Sequence, residues 1–442
     1  MFPRIVNSAG ESRTLEFWLL SVIYRVLLDI AYRDVVSPNY IYIGFLNRGS
    51  TAWAVLSWAL LFAFIFLIQT FYLNRKSKLS GEIVFFLFLL SIVPFTSLIR
   101  FGLLEPVFIL ANTVYWLLTL TFVYLLGRSE KHIRLARFRK YSLGDLELKA
   151  VAAVSFLIVF YISGRYTHFR FHFSLSNVYD LRSEARNFQM PTILSYLFSW
   201  TKVINSILIA YFMQRKQRLW VAVGILAQLL NFGIDGAKTT LLLMVATILV
   251  NLLPRLELGR MNKWALRGFT ALVFLCLLAY SRLKNIMPVS LFVRRMLYIP
   301  IQIGSFYWDF FTSHVPDFFR QSFARHFGFN SPYPPIAYMI GELYEKKVTS
   351  ANNGLLSDAV TNLGYAGILV MPLFLAFLFR ILDRCSEGID SRIYVTVSIY
   401  LAVTMTNSFI FTILLTHGLL VTMLLLAMMK RTSRPRLAST MK

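Results

Sequence analysis

The chain has 442 residues, of which 57% are hydrophobic, 16% aromatic and only 15% charged. A soluble domain does not carry so much apolar surface; many apolar runs of roughly 15 to 22 residues, broken by short basic clusters, describe a polytopic helical membrane protein. The net charge of +24 suggests nucleic acid at first sight, but the basic residues fall beside apolar spans. That is the positive-inside pattern, and no nucleic-acid partner is expected.

The chain reads as a single integral membrane domain over residues 1–442, all-α, with about twelve transmembrane helices. The N-terminus lacks a signal-peptide cleavage pattern, so Leu15–Ile30 reads as a retained first span. Arg25 and Asp29 share a face of that helix four residues apart, where pairing lowers their burial cost. Basic clusters follow the spans at about 51–73, 106–126, 191–213 and 239–253, lie between those at about 361–379 and 393–409, and end the chain. Further spans at about 83–99, 150–164, 219–232, 264–281 and 411–429 put every cluster, and both termini, on one side. Cys276 in a span and Cys385 in a basic loop do not make a disulfide framework.

Two sizeable loops remain on the opposite side, a smaller one at residues 165–190 and a large one at residues 282–360. Long ordered loops tend to carry function. Aromatic residues in the large loop suit short helices lying on the membrane surface.

In the smaller loop, Arg182 and Arg186 share one helical face, with Tyr179 a turn earlier. Paired guanidiniums suit a phosphate or pyrophosphate; the plainer reading is a surface segment whose charges neutralise each other. In the large loop, Arg282, Arg294 and Arg295 form a second cationic set. They bind phosphate or snorkel to lipid headgroups, though positive-inside bias disfavours arginine on this face. The stretch Asn231 to Lys238 reads as a tight hairpin tip, where Lys238 either joins the arginines or pairs with Asp235. Lys202, in mid-span, costs roughly 3 kcal/mol in hydrocarbon and is expected to face a cavity.

The loop-side carboxylates are Asp309, Asp317, Glu342, Glu345 and Asp358, and the histidines of the large loop are His314 and His326. Asp358 lies where the large loop meets the next span, so it is the favoured general base, with a helix cap as the competing role. Glu342 and His326 come next. The aromatic run Phe306 to Phe311 serves an interfacial belt or stacks on sugar rings. No zinc-ligand spacing appears, and neither a metal nor another cofactor is expected.

The order of these pieces resembles the Wzy-type O-antigen polymerases of Gram-negative bacteria. The matching stretches are Tyr179 to Arg186, the Gly236-Ala237-Lys238 hairpin, Arg294 to Pro300 with the following Tyr307 to Phe311, Ala351 to Gly354 with Asn352, Asp358, and Asn362-Leu363-Gly364. The likeness covers roughly residues 150–375, although the Arg-x10-Gly repeat of some members is not found.

The resemblance implies a metal-independent glycosyltransferase of GT-C-like architecture in the bacterial inner membrane, with both large loops and the active site periplasmic. It would polymerise undecaprenyl-pyrophosphate-linked repeat units in lipopolysaccharide biosynthesis. Its partners would be those lipid-linked oligosaccharides, membrane lipids and a chain-length regulator protein. Asp358, Arg294, Arg295 and Arg282 would be catalytic, with Arg182, Arg186, Lys238, Glu342 and Asn352 binding substrate. An O-antigen ligase shares this architecture and chemistry. A lipid-linked oligosaccharide flippase also has about twelve spans, but is expected to have short loops and charges spread through them.

The orientation is directly testable. An alkaline phosphatase reporter fused near Pro332 should be active and one fused near Arg137 inactive; the reverse pattern overturns the topology.

Overall fold

A computed structural model describes residues 8–73, 78–128, 142–169, 184–185, 187–253, 261–346 and 349–431, apart from the side chains of 8–13, 261 and 326. The elements are α1 (Ser8–Ala31), α2 (Thr51–Leu73), α3 (Leu79–Arg100), α4 (Pro106–Arg128), α5 (Asp145–Thr167), α6 (Thr192–Gln214), α7 (Arg218–Asp235) and α8 (Lys238–Leu252). There follow α9 (Met261–Leu283), a π-helix (Val289–Tyr298) running into α10 (Ile299–Ser313), α11 (Ile336–Glu345), α12 (Leu356–Leu363) and α13 (Gly367–Cys385). The chain closes with α14 (Ser391–Met405), α15 (Ile410–Leu415) and α16 (Leu419–Met428). Among the described residues there is no strand, only an isolated bridge between Leu143 and Met429.

Among the described residues eight helices are long and apolar enough to cross a membrane: α2 to α7, α9, and the stretch Leu356–Cys385 that joins α12 to α13. Helices α1, α8, α14 and α16 lie where the sequence reading placed further spans. The first carries Glu16, Arg25 and Asp29, and the others are shorter apolar helices.

The chain divides into two compact units. One comprises Met1–Ser129, Gly259–Leu378 and Ala402–Ile410; the other comprises Glu130–Leu258, Phe379–Leu401 and Phe411–Lys442.

The first unit is built around α3, whose apolar window is 100% buried. A helix enclosed by protein tolerates polar groups that a neighbour answers. Arg25 of α1 has no exposed surface, and it pairs with Asp29 as its spacing suggested. Its Nη2 also donates to the Thr96 carbonyl at 2.8 Å, and its guanidinium lies 5.1 Å from the Trp58 ring centre. Asp29 in turn accepts from Arg100 at 2.8 Å and from Ser97 at 2.7 Å.

The second unit centres on α5, α6 and α7. Ser155 donates to Asn205 at 2.8 Å, Thr201 to Asn231 at 3.1 Å, and Gln228 to Ser206 at 2.7 Å, so polar side chains inside the bundle bond to one another. The hairpin between α7 and α8 forms where expected. Gly236 ends α7 with φ +62°, a conformation that favours glycine. Its charges pair differently from the reading above: Asp235 binds Lys202 of α6, not Lys238. Lys202 therefore meets its burial cost with a carboxylate, and its Nζ lies 4.5 Å from the Phe198 ring centre. Both cysteines are buried and free.

The large loop departs most from expectation. Instead of lying on a surface, the π-helix and α10 bury Val293, Leu297, Tyr298, Ile301, Tyr307 and Phe311. The cause is spacing: Val293, Leu297, Ile301, Gly304, Tyr307 and Phe311 recur every three or four positions and form one buried face, while Arg295 and Asp309 are exposed. Trp308 of the aromatic run is buried too, so neither the interfacial belt nor sugar stacking describes Tyr307, Trp308 and Phe311.

The segment before α12 closes against Ala402–Ile410 at Gly354. A Cβ there would collide with the carbonyl oxygens of Met405 and Ser408, which cannot move aside as a side chain can. Gly354→Ala should therefore cost about 1–3 kcal/mol. The thermal unfolding midpoint of the detergent-purified protein reads this, and an unchanged midpoint would refute the close approach.

Candidate functional site

Arg294 sits on the π-helix, where wide turns are rare and often functional. Its guanidinium carbon lies 4.0 Å from the ring centre of Tyr40. Its Nη2 and Nε donate to Ser290 Oγ, one π-helical turn back, at 3.1 and 3.3 Å. Tyr40 also donates to Ser290, at 2.8 Å. The ring and the hydroxyl fix the guanidinium plane, which is how an arginine is prepared for a planar anion.

The same site lacks a counter-charge. Among the described residues Arg294 makes no ion pair. Burial pulls its guanidinium below the usual value, and the adjacent Arg295 pulls in the same direction. An incoming anion would relieve the second effect and compensate the first. Arg295 is exposed, and Arg282 is exposed at the end of α9.

The π-helix is held at its other end by Tyr298. This fully buried phenol donates to the Leu28 carbonyl at 2.8 Å and lies 3.1 Å from Ser97 Oγ, which itself donates to Asp29. The cationic site is thus tied to the Arg25–Asp29–Arg100 network.

The other expected site residues divide into groups. Arg182 and Arg186 lie outside the described residues. Lys238 is half-buried at the start of α8, in the second unit. Glu342 is exposed on α11, and Asn352 is exposed, with its carbonyl oxygen accepting from Ser350 at 2.9 Å. Among the described residues no three of His, Cys, Asp and Glu gather as a metal site.

Asp358 lies where the large loop meets the next span. It is 2% exposed, with both carboxylate oxygens engaged. One accepts the Ile410 N–H at 2.6 Å and the other accepts Asn362 Nδ2 at 2.8 Å. A base must reach the hydroxyl it deprotonates, and this carboxylate faces a helix start and an amide instead. It does act as a cap, but for α15 rather than for its own helix, which has no side-chain cap.

Asn362 extends the anchor outward. Its Oδ1 accepts the Phe319 N–H at 2.8 Å, and the neighbouring Thr361 carbonyl accepts the Asp317 N–H at 2.7 Å. These bonds hold Phe318 and Phe319 in the left-handed region, at φ 51° and 61°. Tyr40, Ser290 and Arg100 were not singled out in the sequence. Tyr40 and Ser290 are 250 residues apart, and nothing local signals their meeting.

The chain matches no family model, no curated protein and no solved structure.

The anchor makes a directional prediction. Phe319 fixes the amide of Asn362 with its oxygen outward, so position 358 must accept from Nδ2. Asp358→Asn then sets a donor against one of two donors and should cost about 1–3 kcal/mol. The double variant Asp358→Asn with Asn362→Asp restores a complementary pair and should recover much of the loss. Thermal unfolding reads both; a single variant as stable as the parent would remove the anchor.

Proposed function

We propose that this chain is a membrane-embedded glycosyltransferase that joins lipid-linked oligosaccharides, an O-antigen polymerase at the periplasmic face of the bacterial inner membrane. On this reading its helices form a GT-C-like bundle of about twelve spans. The observation that carries the reading is Arg294: a half-buried, aromatic-backed guanidinium without a carboxylate partner, beside a second arginine and outside the candidate spans. A site of that kind suits an anion that arrives with the substrate.

The chemistry follows from charge. In transfer from undecaprenyl pyrophosphate, the bond between the sugar's anomeric carbon and the phosphate oxygen breaks. The pyrophosphate leaves with the electron pair, and its negative charge grows as the bond lengthens. Arg294 and Arg295 stabilise that charge without reorganising, because Tyr40 and Ser290 already hold Arg294. The acceptor hydroxyl bonds to the anomeric carbon and gives its proton to a carboxylate. With Asp358 engaged, Glu342, exposed on α11, takes that role. No metal is needed where arginines neutralise the pyrophosphate, and the carrier lipid requires a site inside or beside the membrane.

A deletion strain tests this reading. One repeat unit on lipopolysaccharide is the polymerase result; no glycan on the surface means a ligase or a flippase. Complementation then tests the site. Arg294→Lys and Arg294→Ala should both reduce long chains by about 10²–10³-fold at normal protein level, because lysine keeps the charge but loses the planar fork. Full activity of the alanine variant would leave lipid snorkelling as the better account of Arg294.

A further inference from the structure

Three turns beyond Arg294 on the same helical rod, roughly 18 Å by helical rise, lies a feature the cationic site does not use. Phe306 of α10 stacks on Tyr344 of α11, with ring centres 4.8 Å apart and planes 8° from parallel. The Tyr344 hydroxyl donates to Asp309, one turn along from Phe306. Asp309 is exposed, and among the described residues its other carboxylate oxygen has no partner. Burial and the Asp309 bond push the Tyr344 phenol up, so it stays a donor and fixes the carboxylate.

The platform is rigidly backed. Trp308 is buried and meets Tyr365 edge-on at 5.6 Å. Tyr307 donates to the Ala351 carbonyl at 3.0 Å, and Asn353 donates to the Pro300 carbonyl at 2.7 Å, binding the segment Ala351–Asn353 along α10. Glu342 is exposed on α11, and Glu345 of that helix accepts from Thr349 at 2.9 Å. The platform therefore combines aromatic rings with the Asp309 carboxylate as an acceptor.

That combination selects among ligands. A lipid phosphate would meet Asp309 and Glu105, whose charges both act on the Tyr344 phenol, as like charges. A purely apolar chain would leave the Asp309 oxygen unanswered. A sugar ring offers apolar C–H faces to the negative face of an aromatic ring and hydroxyl donors to a carboxylate, where the hydrogen bond is charge-assisted.

We propose that Phe306, Tyr344 and Asp309 form a subsite for an uncharged pyranose ring of an oligosaccharide. Resting on the glycosyltransferase reading above, it is the place where the acceptor glycan is held while its lipid-linked donor binds at the arginines. The carboxylates that line it favour neutral over acidic sugars.

Saturation-transfer NMR on the full chain in nanodiscs, with free neutral and acidic di- and trisaccharides as probes, tests the subsite without any polymerase activity. At least one neutral saccharide should give signals, and Phe306→Leu and Asp309→Asn should each reduce them fivefold or more. Tyr344→Phe keeps the stack and loses only the bond to Asp309, so a smaller, two- to threefold loss is expected. Asp309 is exposed, so Asp309→Asn leaves packing intact and decides the matter even if Phe306→Leu misfolds. Signals only from acidic saccharides, none from neutral ones, or signals unchanged in Asp309→Asn would overturn the proposal. Platform binding in a protein whose deletion leaves polymerisation intact would refute the polymerase and keep the subsite. A polymerase phenotype without platform binding would do the reverse.

Discussion

A guanidinium with no exposed surface must have its charge met where it stands, and Arg25 imposes that demand on the first unit. Asp29 answers it, and Asp29 is shared with Arg100, so one carboxylate serves two arginines. The arrangement holds only while each partner is present: removing one member of a buried pair typically costs about 3–5 kcal/mol. Ser97 and Thr96 bring α3 to the network, Ser57 and Trp58 bring α2, and Tyr298 brings the π-helix. The position of Arg294 is set four residues earlier on the same helix. The candidate anion site therefore inherits its geometry from a charge network that takes no part in binding.

Local relations were legible in the sequence and distant ones were not. The Arg25–Asp29 pair could be read because helical spacing puts residues four apart on one face. The Gly236 hairpin could be read because a glycine between two apolar runs stops a helix in a known way. The sequence offers Asp235 a near partner in Lys238, yet Lys202, 33 residues away, is the one it meets. Arg294 could be read as a candidate because the expected topology puts it on the face that positive-inside bias disfavours for arginine. Its aromatic backing came from a segment near the other end of the chain.

Asp358 shows how one position supports two roles. A carboxylate between a loop and a span is where a base or a cap would stand, and the sequence offers no means of choosing. The choice is made by Ile410, 52 residues later, whose unpaired helix-start N–H needs an acceptor in an apolar interior. The large loop was misjudged for a related reason. Gln302, Trp308 and Asp309 give that stretch the mixed polarity of a membrane interface, although it alternates a buried face with an exposed one. Composition averages over both faces; only periodicity separates them.

The join between the π-helix and α10 explains why one rod can serve two kinds of chemistry. In the π segment the Ile299 N–H reaches back to the Arg294 carbonyl, one residue further than in an α-helix, and the wider turn spreads the side chains around it. That spread lets Arg294 lie against Tyr40 while Arg295 stays exposed, so adjacent cations meet different surroundings. From Ile299 onward the tighter α spacing returns; the first turn is buried all round, and beyond it Phe306 is half-buried and Asp309 exposed. The burial that fixes this rod also fixes the distance between its cationic and aromatic–carboxylate portions. A ligand that engages both must be long, anionic at one end and rich in hydroxyls at the other, and a lipid-linked oligosaccharide has that polarity.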